Sequence, residues 1–272
     1  MRVVVWNLWW EFTHPDDRYV AATDVLLDLA PDVVLLQEVA PDRADALAAR
    51  LGGTAAWGGG LVAPDRFPPG PHEVPFGNAV VSRWPILDSV VVPLPKPPHD
   101  GGTRQIVAAR IDEPGGPRWY ASVHLTYLRE DAPMRMRQLD EIRGLLAGLE
   151  PLDRRPVVGG DCNMLPDEAE HRHALDIGFV DLWGDRRGTV DEITMTSANP
   201  HLPGSDERFR ARENAVTTGD EAGFCLDYLF TVGHGGWSSI DHRVIGRRPP
   251  GETWASDHLG LCFDLPDRTA GE

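Results

Sequence analysis

Apolar strands that end in acids, amides or histidines are the feature of this sequence most able to do chemistry. Residues 156–163, PVVGGDCN, read as a buried strand closing on Asp161 and Asn163. Side chains alternate along a strand, so this carboxylate and carboxamide are expected on the same side. Two such groups at the mouth of an apolar strand are costly without partners. A hydrated metal, a water nucleophile or a phosphate would satisfy them. Three other strand-like segments end alike, in Asn7, in Glu38 and in Asp257-His258. Together these ends read as an active site.

The elements that must position them follow from the pattern. Residues 3–8 are apolar and β-branched, a first buried strand. Asp16 or Asp17 is expected to cap a helix through Tyr19, Val20, Leu26, Leu27 and Leu29, which Pro31 ends. Residues 32–39 read as a strand apolar on both faces, as at the centre of a covered sheet. Pro41 opens a second helix through Ala44, Leu47, Ala48 and Leu51, closed by Gly52-Gly53. A Gly/Pro-rich surface loop is expected over 58–75. Strands are expected over 78–82 and 104–111, separated by a Pro-rich loop over 93–102, and another over 119–125. In 133–149, Met136, Leu139, Ile142, Leu145, Leu146 and Leu149 fall near helical spacing. The strand at Val157, a helix over 167–177, a polar stretch to Gly223 and strands around 226–230, 244–245 and 259–265 complete the chain. No low-complexity linker divides it, and strand and helix signals that alternate early recur after Trp119. The expected fold is one α/β domain over 1–272, a four-layer sandwich of two mixed sheets face to face with helices outside.

Bulk properties narrow the function. With 42% hydrophobic residues the chain can bury a substantial core. No apolar run approaches the roughly 20 residues of a membrane span. The first residues read as a core strand rather than a secretory signal. Three cysteines, Cys162, Cys225 and Cys262, lie far apart and form no C-x-x-C pair, which gives neither a disulfide framework nor a zinc signature. A reducing cytoplasm is the expected location. The formal charge of −16 disfavours loose binding to duplex DNA. Lys96 is the only lysine, and the arginines are scattered, as genomic base composition would leave them. The one short basic run is Arg208-Phe209-Arg210-Ala211-Arg212, either a phosphate-chain contact or a solvated loop balanced by Asp206, Glu207 and Glu213.

Seven segments carry a family resemblance, in this order: Trp6-Asn7; Leu36-Gln37-Glu38-Val39; residues 77–83, GNAVVSR; Val123-His124-Leu125; Gly160-Asp161-Cys162-Asn163; residues 226–230, LDYLF; and Ser256-Asp257-His258. Each alone is weak. Seven in order, each at the end of a plausible strand and spanning Asn7 to His258, is specific. The chain resembles the endonuclease/exonuclease/phosphatase superfamily, which includes pancreatic-type deoxyribonuclease, abasic-site endonucleases, neutral sphingomyelinases and inositol-polyphosphate 5-phosphatases. The resemblance implies metal-dependent hydrolysis of phosphate esters.

The chemistry also stands on the residues. Phosphate esters resist hydrolysis because the anion repels nucleophiles and the alkoxide leaves poorly. A hard divalent cation addresses both problems and prefers oxygen ligands. Glu38 is the best single ligand, with Asn7 helping by its amide oxygen and Asp257 by a carboxylate. Such a sparse set suits Mg²⁺, or Mn²⁺ in its place. The alternative role for Glu38 is an N-cap of the helix after Pro41. Asp161 suits orienting or deprotonating the attacking water, and Asn163 donating to a nonbridging phosphoryl oxygen. The alternative for this pair is an Asx turn leading into Pro166. His124 and His258 are the imidazoles able to contact the phosphoryl group or protonate the leaving oxygen. The resemblance implies that Asp227 holds His258 in one tautomer and that Arg104 contacts phosphate; the alternative for Arg104 is a solvated strand-edge residue, and Asn78 is either a supporting amide or a turn residue.

Two departures stand out. Relatives that carry a second acid or amide two residues after the first Asn are matched here by Trp9, which favours one metal. Cys225 replaces a supporting Arg two residues before Asp227. Trp9, Trp10, Trp57 and Trp84 are either stacking surfaces near loops or core anchors. The expected activity is a nuclease-type phosphodiesterase on a phosphate-ester substrate, nucleic acid included. The alternatives are an enzyme for small or lipid-linked phosphates, and a binding module that kept the fold and lost turnover.

Overall fold

Alternation along two valine-rich strands sets the architecture. In the computed structural model, Arg2–Asn7 (β1) and Val33–Val39 (β2) lie side by side and parallel. Val3, Val5, Val33 and Leu35 face one core, while Val4, Trp6, Val34 and Leu36 face another. Both faces of this sheet are therefore covered, as uniformly apolar strands require. The structure describes residues 1–62, 73–150, 154–166, 168–184, 192–202, 216–218, 220–233, 240–249 and 251–266. The Arg208–Arg212 run, Asp167, and the outer part of the expected 58–75 loop lie outside them.

The further elements are helices Pro15–Leu29 (α1) and Pro41–Arg50 (α2), then strands Thr54–Gly60 (β3), Phe76–Ser82 (β4), Ile86–Pro93 (β5), Gln105–Ile111 (β6) and Arg118–His124 (β7). Helix Ala132–Gly148 (α3), strand Val157–Asp161 (β8) and helix Ala169–Asp176 (α4) follow. The chain continues through strands Phe179–Asp181 (β9), Met195–Thr196 (β10), Val216–Thr218 (β11), Glu221–Phe224 (β12), Asp227–Val232 (β13), Asp241–Ile245 (β14) and Gly260–Asp264 (β15). One six-stranded sheet has the order β14-β15-β1-β2-β4-β3 and the other β5-β6-β7-β8-β13-β9; β10-β12-β11 form a small third sheet. The parallel neighbours β1/β2 and β7/β8 are joined through α1 and α3, as a parallel pair demands.

Three apolar layers hold this together. Val3, Leu35, Val80, Val107, Tyr120, Val157, Leu229 and Phe263 fill the gap between the sheets. Leu26, Ala44 and Leu47 of α1 and α2 cover the first sheet, and Leu139, Ile142 and Leu146 of α3 cover the second. Each such side chain contributes about 1.5–3 kcal/mol by its removal from water. The four-layer α/β sandwich expected from the sequence is the observed fold. Among the described residues, no helix is long and apolar enough to cross a membrane.

Several local expectations are corrected. Asp16 and Asp17 do not cap α1; His14 occupies that position with φ 50°, and the two acids sit in the first turn, where the helix dipole favours them. The expected loop from Gly58 begins as strand β3, because its glycines let it lie against β4: a Cβ on Gly59 would come within 2.4 Å of the Phe76 carbonyl oxygen. Strand β5, absent from the sequence reading, is a half-exposed edge strand whose Leu87, Asp88 and Ser89 break the alternation. Four short strands, β9 to β12, lie after α4, in and beside the expected polar stretch.

Strand β8 can approach β7 only because residue 160 lacks a side chain. A Cβ there would lie 1.8 Å from the Val123 carbonyl oxygen. Gly160→Ala is expected to lower the unfolding free energy by roughly 2–4 kcal/mol in a denaturant titration, because backbone rather than a flexible side chain must move. An unchanged midpoint would show that the strands separate freely.

Candidate active site

The inward-facing register of four strands runs from apolar core to polar end. After Val3 and Val5 it reaches Asn7; after Tyr120, His124; after Val157, Asp161; and before Leu229, Asp227. All four polar residues are buried. In the second sheet His124 pairs with Asp161 across β7/β8, and Asp161 with Asp227 across β8/β13. Three acceptor-bearing side chains are thereby fixed one strand spacing apart.

Glu38 arrives by a different device. Alternation alone would send it to the helix side with Leu36. The β2/β4 register shifts between Leu36 and Val39, and Glu38 takes φ 52°. This left-handed conformation costs a non-glycine residue about 1 kcal/mol or more, a local strain that marks functional positions. The bulge turns Glu38 into the gap, where Asn7 Nδ2 donates to Glu38 Oε1 at 3.0 Å and to Asp161 Oδ2 at 3.1 Å. Glu38 is not an N-cap: Ala40 stands at the start of α2 and no side chain caps it.

Asp257 and His258 come from the segment before β15. Asn199 Nδ2 donates to the carbonyl oxygens of Ser256 and Asp257, and Trp6 Nε1 to that of His258. His258 Nδ1 donates to Asp227 Oδ2 at 2.9 Å, and its Nε2 lies 3.6 Å from Asp161 Oδ2. His124 Nε2 is 3.5 Å from Asp161 Oδ2 and 3.9 Å from Glu38 Oε1. The structure thus brings Asn7, Glu38, His124, Asp161, Asp227, Asp257 and His258 into one cluster.

Two expected placements change. Asn163 does not share a strand face with Asp161, since β8 stops at Asp161 and Asn163 has φ 51°. Its backbone N–H donates to Asp161 Oδ1, so the Asx turn is real, and its Nδ2 donates to the Leu125 carbonyl beside His124. Turn and site coexist. Asn7 faces the carboxylates with its amide nitrogen, bridging Glu38 and Asp161, and its oxygen accepts from Trp9 N–H.

Arg104 is buried and forked onto Asp100, Nε to Oδ2 at 2.7 Å and Nη2 to Oδ1 at 3.2 Å. Asn78 lies behind it, its Nδ2 donating to the Gln105 carbonyl and so tying β4 to β6 across the two sheets. Sequence reasoning missed Asn199, Asp100 and Arg18. Arg18 is buried and donates to six backbone carbonyls of the loop after β1 and of Ala255. No spacing signal marks Asn199 or Arg18, which act on backbone, and the i,i+4 pair of Asp100 with Arg104 went unread because it lies in the Pro-rich loop rather than on a helix. His201, set aside in the sequence, packs on Trp9 with ring centroids 4.7 Å apart.

Electrostatics suit the cluster to a cation. Burial, then the charge of Asp257, pushes the Glu38 carboxyl up to about 7. Burial, with Asp227 adding, pushes Asp161 to about 6 against the pull of His258. Burial also raises Asp257. His124 is held well below an ordinary imidazole by burial and by the charges of Arg104 and His258. Burial alone would lower His258, but Asp227 and Asp161 outweigh it and raise it well above its usual value. Ligand atoms of Glu38, His124 and Asp161 lie within 4.8 Å of one another. Buried acids short of positive charge, with a neutral imidazole beside them, fit a divalent cation.

The comparisons decide the family. The model of the Endonuclease/Exonuclease/phosphatase family matches residues 4–258. The chain belongs to this family. No curated protein is matched by sequence. Among solved structures, D. rerio TDP2 complexed with single strand DNA product is similar at 18% identity and a TM-score of 0.70, with 97% of each chain covered. A family protein from Leptotrichia buccalis is similar at 16% identity and a TM-score of 0.71, covering 98% of this chain and 99% of that one. The human Nocturnin catalytic domain with bound sulfate is similar at 19% and 0.66, covering 97% and 92%. At these identities the structures show a shared fold. Membership makes the protein a phosphoesterase of this family, and its acidic/histidine cluster sits where the sandwich opens.

Glu38 gives a pH test. Folding raises its pKa from 4.5 to about 7, so between those values the native state holds more protons than the unfolded chain. The stability of the metal-free protein therefore falls as pH rises through that window. Glu38→Gln, which cannot ionise, is expected to raise the metal-free thermal midpoint at about pH 8 and leave it nearly unchanged at about pH 5. An equal difference at both values would show that Glu38 does not titrate there.

Proposed function

We propose that the protein is a Mg²⁺-dependent phosphodiesterase of nuclease type, working in a reducing cytoplasm, in which a positioned water attacks phosphorus. The observation carrying this is the shared position of Asp161. It accepts from Asn7, stands within 3.6 Å of both histidines, and is pushed to about 6. A carboxylate so poised suits a base for water near neutral pH.

Glu38 would hold the cation, with Asn7 and Asp257, or with Asp161 and His124, completing the set. The cation supplies positive charge to the phosphoryl group and the leaving oxygen. Asp161 orients the water and takes its proton. His258, protonated at neutral pH and held by Asp227, presents Nε2–H toward a phosphoryl oxygen and offsets charge as it builds. Asn163 keeps one amide N–H on Leu125 and has a second for the same group. His124, neutral at that pH, adds an acceptor beside Glu38. Three cysteines, all buried and free, suit a reducing compartment.

Single strand DNA bound to the D. rerio relative supports a nucleic-acid substrate. The net charge of −16 favours the second reading, a small or lipid-linked phosphate ester, because it opposes loose binding to duplex DNA. Release of product from a chromogenic phosphodiester is expected to require metal and to stop with EDTA. Absence of metal-dependent release from every ester tried would favour a binding module. Plasmid nicking beside a panel of nucleotides, inositol phosphates and phospholipids separates the two enzyme readings: intact plasmid with cleavage of a small phosphate sinks the nuclease. Glu38→Gln should weaken metal affinity and be partly rescued by high Mg²⁺. His258→Ala should lower turnover by roughly 10²-fold or more with the fold retained; normal turnover would remove it from the mechanism.

A further inference from the structure

We infer that Asp100, in the loop between β5 and β6, is a positioning residue that aims Arg104 at the phosphoryl group. The inference rests on the phosphoesterase reading of the site. Asp100 is buried and its four hydrogen bonds leave no lone pair idle: Arg104 Nε and Nη2, the Gly102 N–H at 3.0 Å and the Thr126 hydroxyl at 2.8 Å all donate to it. The surrounding chain is fixed in turn. Lys96 Nζ donates to the carbonyls of Asp100 and Gly102. Gln138 of α3 donates to Pro95 and accepts from Thr126 N–H, and Arg135 donates to the Thr126 carbonyl. A rigid helix therefore sets Thr126, Thr126 and the loop set Asp100, and Asp100 sets Arg104.

What the arrangement leaves over is one donor. Arg104 Nη1 is buried with no hydrogen-bond partner among the described residues. Its guanidinium stands near enough to His124 to hold that imidazole down, and 5.9 Å from the ring of half-exposed Tyr127. A buried guanidinium N–H without an acceptor is costly and calls for an anion. The fork onto Asp100 uses one edge of a planar group, so the remaining nitrogen is fixed in direction as well as in place. Loss of the fork would leave Arg104 charged but free to turn.

A double-mutant cycle of Asp100→Asn and Arg104→Met tests this by two readouts, orthophosphate affinity by calorimetry and kcat against KM on a chromogenic phosphodiester. Thermal midpoints confirm folding. Asp100→Asn is expected to weaken orthophosphate on the order of 10-fold, and to lower kcat more than it changes KM. In the Arg104→Met background the same change should have almost no further effect. Equal effects in both backgrounds, or orthophosphate affinity alike in all four chains, would overturn the inference and leave Asp100 a loop tie. If orthophosphate follows the cycle while no ester is hydrolysed, the phosphoesterase reading fails and the positioning role stands.

Discussion

The gap between two face-to-face sheets governs this molecule. Along most of its length valine, leucine and phenylalanine fill it. At one end the same alternation delivers amides and acids, and these bridge the sheets by hydrogen bonds instead of dispersion. Asn7 reaches Asp161, Gln37 reaches Ser122, Asn78 reaches the Gln105 carbonyl, and Gln105 reaches the Gly58 carbonyl. Breaking such a bond would strand a buried polar group, so each bridge constrains both sheets at once. The site is in this sense the polar closure of the core.

That closure leaves an electrostatic deficit. Glu38, Asp161 and Asp257 are raised by burial, and His258 is held in its charged form by the acids around it. A divalent cation would offset the deficit, and the strained backbone at Glu38 turns its carboxyl toward the other acids. Left-handed backbone at Trp9, Trp10, Glu38 and Asn163 clusters at this end of the sandwich. Fixed geometry of this kind lets charge be stabilised without reorganisation at the moment of reaction.

Support is layered outward from the reacting groups. Asp227 fixes His258, Asn199 fixes the backbone of Ser256 and Asp257, and Arg18 gathers the carbonyls of the loop after β1. Asp100 does the same for Arg104. In each case a buried polar side chain gives its hydrogen bonds to another site element rather than to solvent.

How much of this was legible follows from how local each signal is. Strand ends at Asn7, His124 and Asp161 were readable because alternation is a local rule, and the long apolar strands and α3 were readable for the same reason. Strand β5 was not, because a half-exposed edge strand lacks a clean period, and β3 was hidden by glycines that only make sense against the Phe76 backbone. The chain alone therefore determined the layered α/β sandwich and the kinds of residue at the ends of its central strands. Tertiary structure decided which of them meet. The bulge that turns Glu38 inward, the reach of Asn199 to Ser256 and Asp257, and the tie of Asp100 to Thr126 all depend on contacts between segments apart in sequence. No local periodicity encodes a contact whose energy exists only once both partners are in place.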